Sequence, residues 1–170
     1  MIRPVMPDDT EALVELTTNT GFFKPIELAT LREVLHDYHK EDRIAGHRSF
    51  LWEEEGQLLG YVYYAPAPMT DRSWYLYWIA VASGTQGRGY GGQMLEFVEK
   101  DVRDRGGRML LVETSLLPHY ESTRRFYFKY GYTAVAQIAD YYAEGDGLIV
   151  FAKRFAVPEP EVAVVPNHER

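Results

Sequence analysis

The spacing of apolar residues changes partway through the first third of the chain. From residue 8 they recur every three or four positions, which predicts two helices, the second running from about 25 to 40. From residue 49 the apolar and aromatic residues lie in short runs, at 49–53 and 58–64, on either side of an EEGQ turn. This arrangement predicts a β-hairpin, preceded by a first short strand at residues 2–5.

The rest of the chain contains four more strand-like runs and two more helical stripes. The strands are predicted at 74–82, 109–113, 132–138 and 147–154, and the helices at 91–105 and 120–130. Strands joined by short turns pair antiparallel, whereas a helix between two strands permits a parallel crossover. The predicted fold class is therefore α+β (mixed α/β), with a mostly antiparallel seven-stranded sheet, one parallel pair and about four helices.

Length and composition favour a single domain. A chain of 170 residues, 46% of them hydrophobic, can bury one sizeable core, and no internal repeat is found. We expect the domain to span residues 1–155, and the last segment, 156–170, to form a loose tail because it carries three prolines. The N-terminus has no apolar signal segment and no run of 18 apolar residues occurs, so we expect a cytoplasmic protein with no membrane partner.

Charge and cysteine content exclude several classes of function. The formal net charge of −7 argues against an extended nucleic-acid surface, so we expect no nucleic-acid partner. The absence of cysteine excludes disulfides, thiolate metal sites and a cysteine nucleophile. His36 and His39 are three positions apart but have no third ligand nearby, so we expect no metal site.

The segment GTQGRGYGGQML, residues 84–95, is the strongest candidate for ligand binding. Glycines after a strand and before a helix free backbone N–H groups to face a phosphate. Gly87, Gly89 and Gly92 fit the dinucleotide fingerprint, and Glu113 lies where a ribose-binding acid is expected. Five residues separate the strand from Gly87, however, and no repeated βαβ units precede it. A dinucleotide site and a turn without a ligand both remain as alternatives.

Two blocks in this order resemble the GNAT superfamily of acetyl-CoA-dependent N-acetyltransferases. The first is Gln86-x-x-Gly89-x-Gly91 after the strand ending at Val81, similar to the family's phosphate loop Q/R-x-x-G-x-G/A. The second is FYFKYGY, residues 126–132, similar to the family's helix ending (L/F)-Y-x-x-x-G-(F/Y). The resemblance covers residues 1 to about 154 in element order. It implies a GNAT-like fold in which the strands at 74–82 and 109–114 splay apart around the cofactor.

The resemblance also implies a cofactor, acetyl-CoA, and a set of residues that bind it. The strand edge at Ile79, Ala80 and Val81 is expected to pair with the pantetheine arm. Backbone N–H groups of the loop are expected to hold the diphosphate, with two polar side chains flanking it. These loop residues are Gln86, Gly87, Arg88, Gly89, Tyr90, Gly91 and Gly92. Many family members have an asparagine where this chain has Tyr120, so Ser122 or Ser115 is expected to replace its contact.

The catalytic residues are expected to be a tyrosine and a carboxylate. Tyr127 occupies the position of the family tyrosine that protonates the departing coenzyme A thiolate, and a phenol is protonated at neutral pH. The alternative is that Tyr127 is only a core aromatic residue. The strand at 74–82 contains no acid, so Glu113 is the candidate base, acting directly or through water. A structural pairing of Glu113 with an arginine and a base role for Asp140 stay open.

The predicted activity is direct transfer of an acetyl group to a primary amine of a small molecule. Aromatic residues near the expected acceptor region favour an amine-bearing ligand through cation–π contact. They are Phe22, Phe23, Tyr61, Tyr63, Tyr75, Tyr77, Tyr141 and Tyr142. Two other hypotheses are a protein acetyltransferase and a non-catalytic acyl-CoA-binding module. The acceptor amine is not identified by the sequence, and a homodimer is left open as the assembly.

Overall fold

The computed structural model describes residues 1–156, and its central element is one seven-stranded sheet. The strands are β1 (Ile2–Pro4), β2 (Arg48–Glu54), β3 (Gln57–Pro66), β4 (Ser73–Val81), β5 (Met109–Ser115), β6 (Thr133–Ala143) and β7 (Asp146–Arg154). Their order across the sheet is β1-β2-β3-β4-β5-β7-β6, and only β4 and β5 are parallel neighbours. The predicted fold class is confirmed. The expected tail, apart from its first residue, lies outside the described residues.

Four α-helices cover the sheet, two on each face. They are α1 (Thr10–Asn19), α2 (Pro25–Asp37), α3 (Tyr90–Asp104) and α4 (Glu121–Lys129). The second helix was expected to continue to residue 40, but it changes to a π-helical turn at Tyr38–Asp42. Pro25 begins α2 because a proline at the first helical position leaves no backbone donor unsatisfied. The Glu27 carboxylate accepts a hydrogen bond from the Lys24 backbone (2.6 Å) and secures the same end.

The two faces of the sheet bury separate clusters of apolar side chains. On one face, α1 and α2 pack on β2–β4 through residues such as Leu13, Leu31 and Tyr61. On the other, α3 and α4 pack on β2–β5 and β7 through a larger cluster that includes Leu95 and Phe151. The strands β2, β3 and β4 contribute to both clusters because successive side chains point to opposite faces. Residues from α2 and α4 can therefore approach the middle of the sheet from opposite sides.

The parallel pair in the middle of the sheet separates after four residue pairs. The register runs from Ser73 opposite Met109 to Leu76 opposite Val112, and no further pair joins β4 to β5. At the same point β4 bulges against β3, leaving Tyr77 as an extra residue between two paired positions. A bulge bends its strand and re-aims the side chains around it. The implied splay is thus present, and it begins at Tyr77.

The edge strand β6 is longer than predicted because a second irregularity extends it. The expected strand ended at residue 138, whereas β6 continues to Ala143 with four residues, 139–142, opposite a single residue of β7. Asp140 adopts a left-handed backbone conformation (φ 55°), and its carboxylate accepts a hydrogen bond from the Gly145 N–H (2.7 Å). The Asp140 carboxylate, a candidate base in the sequence analysis, is thus engaged in this turn.

Candidate active site

Two neighbouring cavities open where β4 and β5 diverge. The cavity beside α2, here called the α2-side cavity, has a volume of about 360 Å³. The cavity beside the glycine loop, here called the loop-side cavity, has a volume of about 420 Å³. Both are lined by Phe22, Ile79, Val81, Gln86, Thr123 and Tyr127. A ligand in one cavity can therefore approach a ligand in the other across this shared wall.

The glycine loop places free backbone donors at the loop-side cavity. Gly87 (φ 77°) and Gly89 (φ 87°) adopt left-handed conformations that other residues adopt only with strain. Gly89 is the N-cap of α3, and the first N–H groups of a helix have no acceptor within the helix. The positive end of the helix dipole and these donors together favour an anion. The loop therefore fits a diphosphate.

Gly91 and Gly92 have a different role from the two left-handed glycines. A Cβ atom at Gly91 would lie 3.4 Å from the Phe126 ring, an ordinary contact. A Cβ atom at Gly92 would lie 1.8 Å from the hydroxyl oxygen of Tyr130, which no side chain could tolerate without displacing that ring. Both glycines line the loop-side cavity, and Gly92 also allows α4 to approach α3 closely.

The other residues expected to bind the cofactor lie around the same cavities with one exception. Gln86 lines both cavities, and Tyr90 and Ser122 line the loop-side cavity. Ala80 lines the α2-side cavity only. Arg88 is exposed and belongs to the lining of neither cavity. Ser122 is also exposed, so its hydroxyl is available at the rim.

The edge of β4 that faces the gap has no strand partner along residues 77–81. Its other edge is paired with β3, from Tyr63 opposite Trp78 to Gly60 opposite Val81. Backbone N–H and C=O groups buried without partners cost free energy, so such an edge favours a ligand that can hydrogen-bond to it. Within this region the Gln86 side-chain amide donates to the Val81 carbonyl at 3.5 Å. Ile79 and Val81 line both cavities next to this edge.

Tyr127 lies on α4 at the wall shared by the two cavities. Its side chain is 2% exposed and packs against the rings of Tyr132 and Phe151, each with its centroid 5.5 Å away. Burial raises the pKa of the Tyr127 phenol above its usual value, so the group is protonated at neutral pH. The hydroxyl has no hydrogen-bond partner among residues 1–156. It is a donor that faces the cavities without a protein acceptor.

Glu113 lies at the end of β5, on the face of the sheet opposite Tyr127. It lines the α2-side cavity, is exposed, and forms no ion pair with any described residue, so the alternative of an arginine pairing is not observed. Burial, and then the adjacent Glu113 carboxylate, raise the pKa of Tyr75. Burial and the same carboxylate also raise the pKa of Tyr142. Glu113 is therefore a carboxylate held among phenol groups at the mouth of the gap.

A second charged group of the α2-side cavity was not predicted from the sequence. The Lys24 ammonium group donates to the buried Asp146 carboxylate and lies 5.3 Å from the centroid of the Tyr142 ring. Asp146 also accepts a hydrogen bond from Ser115. Burial alone would raise the pKa of Asp146, but the hydrogen bonds from Lys24 and Ser115 lower it below its usual value. The Ser115 hydroxyl group, one of the two expected replacements for the asparagine contact, therefore already donates its hydrogen bond to Asp146.

Tyr120, which stands where many family members have an asparagine, joins α2 to the start of α4. Its hydroxyl donates to the Phe22 carbonyl (2.9 Å) and lies 3.4 Å from the Glu27 carboxylate. Phe22 belongs to the wall shared by the two cavities, so Tyr120 helps to hold that wall. Tyr120 is more than 90 positions from Phe22 and Glu27, so no local sequence pattern could have predicted this contact.

The described part of the chain contains neither a metal-binding cluster nor a membrane-spanning helix. Residues 1–156 contain no cluster of three or more histidine, aspartate or glutamate side chains arranged to hold a metal ion. None of the helices in this range has the length and hydropathy needed to cross a bilayer. The single parallel strand pair also leaves the dinucleotide interpretation without the repeated parallel strands that such a fold requires.

Comparison with solved structures returns proteins of the same fold. A GNAT-family protein from Desulfovibrio desulfuricans is 35% identical, with a TM-score of 0.86, over 92% of this chain and 99% of that one. The ribosomal-protein-alanine N-acetyltransferase of Brucella melitensis is 21% identical (TM-score 0.74; 91% and 99% covered). An aminoglycoside 6′-N-acetyltransferase solved with coenzyme A is 18% identical (TM-score 0.72; 95% and 99% covered). The last two likenesses concern the fold alone.

Comparison by sequence gives the family. A search of curated proteins found no significant match. The sequence model of the acetyltransferase (GNAT) family matches residues 13–132, which include the glycine loop and the helix that carries Tyr127. Because this match spans most of the chain, and because the Desulfovibrio protein is similar over almost the whole of it, the chain belongs to the GNAT family of acetyltransferases.

Proposed function

We propose that this acetyltransferase moves an acetyl group to a primary amine of a small molecule while both substrates are bound. The observation that carries the proposal is the pair of cavities that meet at Tyr127 across the splayed strands. Two substrates held on either side of one wall can react directly, and alignment of this kind accounts for much of the rate of such reactions. An acyl-enzyme on cysteine is excluded because the chain has no cysteine.

The loop-side cavity is the proposed cofactor site. Acetyl-CoA, the acetyl donor of GNAT enzymes, supplies a thioester that an amine can attack. Backbone N–H groups of the loop would hold its diphosphate, with Gln86, Arg88 and Ser122 at the flanks. The free edge of β4 at residues 79–81 would accept the pantetheine arm as an added strand. Support comes from the left-handed glycines, the unpaired helix donors and the unpaired strand edge.

Tyr127 is the proposed acid. Its hydroxyl would donate a hydrogen bond, and then its proton, to the sulfur atom as the carbon–sulfur bond breaks. Two observations support this role: Tyr127 belongs to the wall shared by the two cavities, and its hydroxyl has no acceptor among the described residues.

Glu113 is the proposed proton acceptor. A primary amine must lose a proton as it forms the amide, and a carboxylate within reach, directly or through one water molecule, can take it. Glu113 is the carboxylate of the α2-side cavity without a charged partner, since Glu27 is bound to the start of α2. The attraction of the same carboxylate for a protonated amine would also bring the substrate to the gap.

The shape and composition of the α2-side cavity favour a small molecule. Phe23 and Trp78 pack against each other with ring centroids 5.4 Å apart, and Tyr75 and Tyr77 stack with centroids 5.5 Å apart. Lys24 and Tyr142 line the same cavity, with the Lys24 ammonium group 5.3 Å from the centroid of the Tyr142 ring. Aromatic walls around one carboxylate suit the apolar body of an amine together with its positive charge.

The proposal is tested with a panel of amines, scored by release of free thiol from acetyl-CoA. The panel contains diamines, amino acids, aminoglycosides and peptides with a free N-terminus or lysine. We expect thiol release with at least one small amine, and product mass should show one added acetyl group. Activity on peptides alone would support a protein acetyltransferase instead. Binding of CoA without turnover on any amine would support a non-catalytic module.

A further inference from the structure

We propose that Tyr130 is a further cofactor-binding residue, whose hydroxyl group donates a hydrogen bond to the diphosphate of coenzyme A. The inference rests on the proposed cofactor site at the glycine loop. The family motif in residues 126–132 directs attention to Tyr127, and nothing in that motif assigns a ligand to Tyr130. The Tyr130 hydroxyl group lies next to Gly92, and both residues line the loop-side cavity.

The Tyr130 hydroxyl is pressed against the first turn of α3. A Cβ atom built on Gly92 would lie 1.8 Å from the hydroxyl oxygen and 2.5 Å from the ring carbon that carries it. The phenol thus occupies the space that a side chain at the third position of α3 would fill. Backbone N–H groups at positions 90–92 have no acceptor within the helix. Tyr130, Tyr90, Gly91 and Gly92 all line the loop-side cavity.

The hydroxyl group of Tyr130 has no hydrogen-bond partner among residues 1–156, although the ring is only partly exposed. The nearby Tyr132 differs, because its hydroxyl donates to Glu99 (3.1 Å). The Tyr130 hydroxyl lies against the first turn of α3 at the loop-side cavity, where it can give one hydrogen bond to an anionic oxygen. Hydrogen bonds to charged groups are stronger than neutral ones.

The position of Tyr130 relative to α3 is fixed by a buried ionic contact. Its backbone carbonyl accepts a hydrogen bond from the Lys153 ammonium group at 3.0 Å. The same ammonium group binds both oxygens of Glu99 at 2.9 Å, and Glu99 lies on α3 with 4% exposure. The Phe126 ring packs against the phenol with its centroid 4.8 Å away. These contacts therefore hold the end of α4, and with it Tyr130, against α3.

The test measures CoA binding by isothermal titration calorimetry, independently of turnover. Tyr130→Phe keeps the ring and removes the donor, and we expect it to raise the Kd for CoA about tenfold, as loss of one hydrogen bond to a charged group predicts. The matched control is Tyr64→Phe, which removes a hydroxyl group that donates to Asp101 (2.6 Å) and belongs to the lining of neither cavity. The control should lower the melting temperature and leave the Kd for CoA unchanged.

A double substitution tests whether the effect of Gly92 on CoA binding depends on the Tyr130 ring. Gly92→Ala should weaken CoA binding because its methyl group displaces the Tyr130 ring, and most of that loss should disappear on a Tyr130→Leu background. Equal CoA affinity of Tyr130→Phe and the wild type would overturn the inference while leaving the proposed cofactor site intact. Failure of the wild type to bind CoA would overturn the proposed site, and the inference with it.

Discussion

The two cavities that meet at the splayed strands are built in different ways. The loop-side cavity is formed largely by backbone: left-handed glycines, the first turn of α3 and the unpaired edge of β4. The α2-side cavity is formed by side chains from α2, β4, β5, α4 and β6 and the loop before α2, including aromatic rings, Glu113 and Lys24. Backbone groups are the same whatever the sequence, so a backbone site suits a ligand shared by a whole family. A side-chain site can change its ligand through single substitutions.

This contrast explains why family membership gives the donor and leaves the acceptor open. The structural neighbours include enzymes named for an aminoglycoside and for a ribosomal protein, on one fold. Substitutions in each cavity, and at the wall between them, should therefore affect different kinetic constants.

Tyr127→Phe is expected to have the largest effect, because Tyr127 belongs to the wall between the cavities. We expect kcat to fall at least about tenfold, since general acid–base catalysis typically contributes about 10²- to 10⁴-fold, while the Kd for CoA is unchanged. The protein should remain folded, since no hydrogen bond with a described residue is lost. Steady-state kinetics and calorimetry check the two constants separately. Unchanged turnover would remove the phenol from the mechanism.

Gly89→Ala is expected to affect the donor side alone. A side chain at φ 87° strains the backbone by roughly 1–2 kcal/mol, so the loop should shift and the Kd for CoA should rise about tenfold. The KM for the amine should change little. Gly84→Ala is the matched control, because Gly84 has the same conformation (φ 86°) but lies outside the lining of the loop-side cavity. If the control weakened CoA binding equally, strain anywhere in the loop would explain both results.

Asp146→Asn is expected to give the smallest effect, on stability and its pH dependence. The pKa of Asp146 is lower in the folded protein than in the unfolded chain, so the carboxylate stabilises the fold above its unfolded pKa. That contribution is lost as the pH falls through the folded pKa. Urea unfolding between about pH 2 and pH 5, the range around and below the unfolded pKa of an aspartate, should therefore show a shallower dependence on pH in the variant than in the wild type. Identical slopes would show that Lys24 and Ser115 do not stabilise the ionised form.

The features that could be predicted from the sequence depend on neighbouring residues in the chain. Short segments of the sequence contain the whole pattern for α3, for the glycine loop and for the helix that carries Tyr127. The structure confirms the positions of all three. The extra residue at Tyr77, the irregular segment 139–142 and the π-helical turn after α2 could not be predicted. Each results from packing between strands or helices that the local pattern does not describe.

The same distinction holds within the candidate site. The sequence by itself determined the family, the order of elements and the position of the glycine loop before α3, because glycine conformations and helix ends are local properties of the backbone. Only the tertiary structure decided that Gly92 accommodates Tyr130, that Lys24 pairs with Asp146, and that Glu113 faces a cavity without an arginine partner. These contacts join residues from 38 to 122 positions apart, and their energies depend on distance in space. No periodicity along one chain encodes that distance.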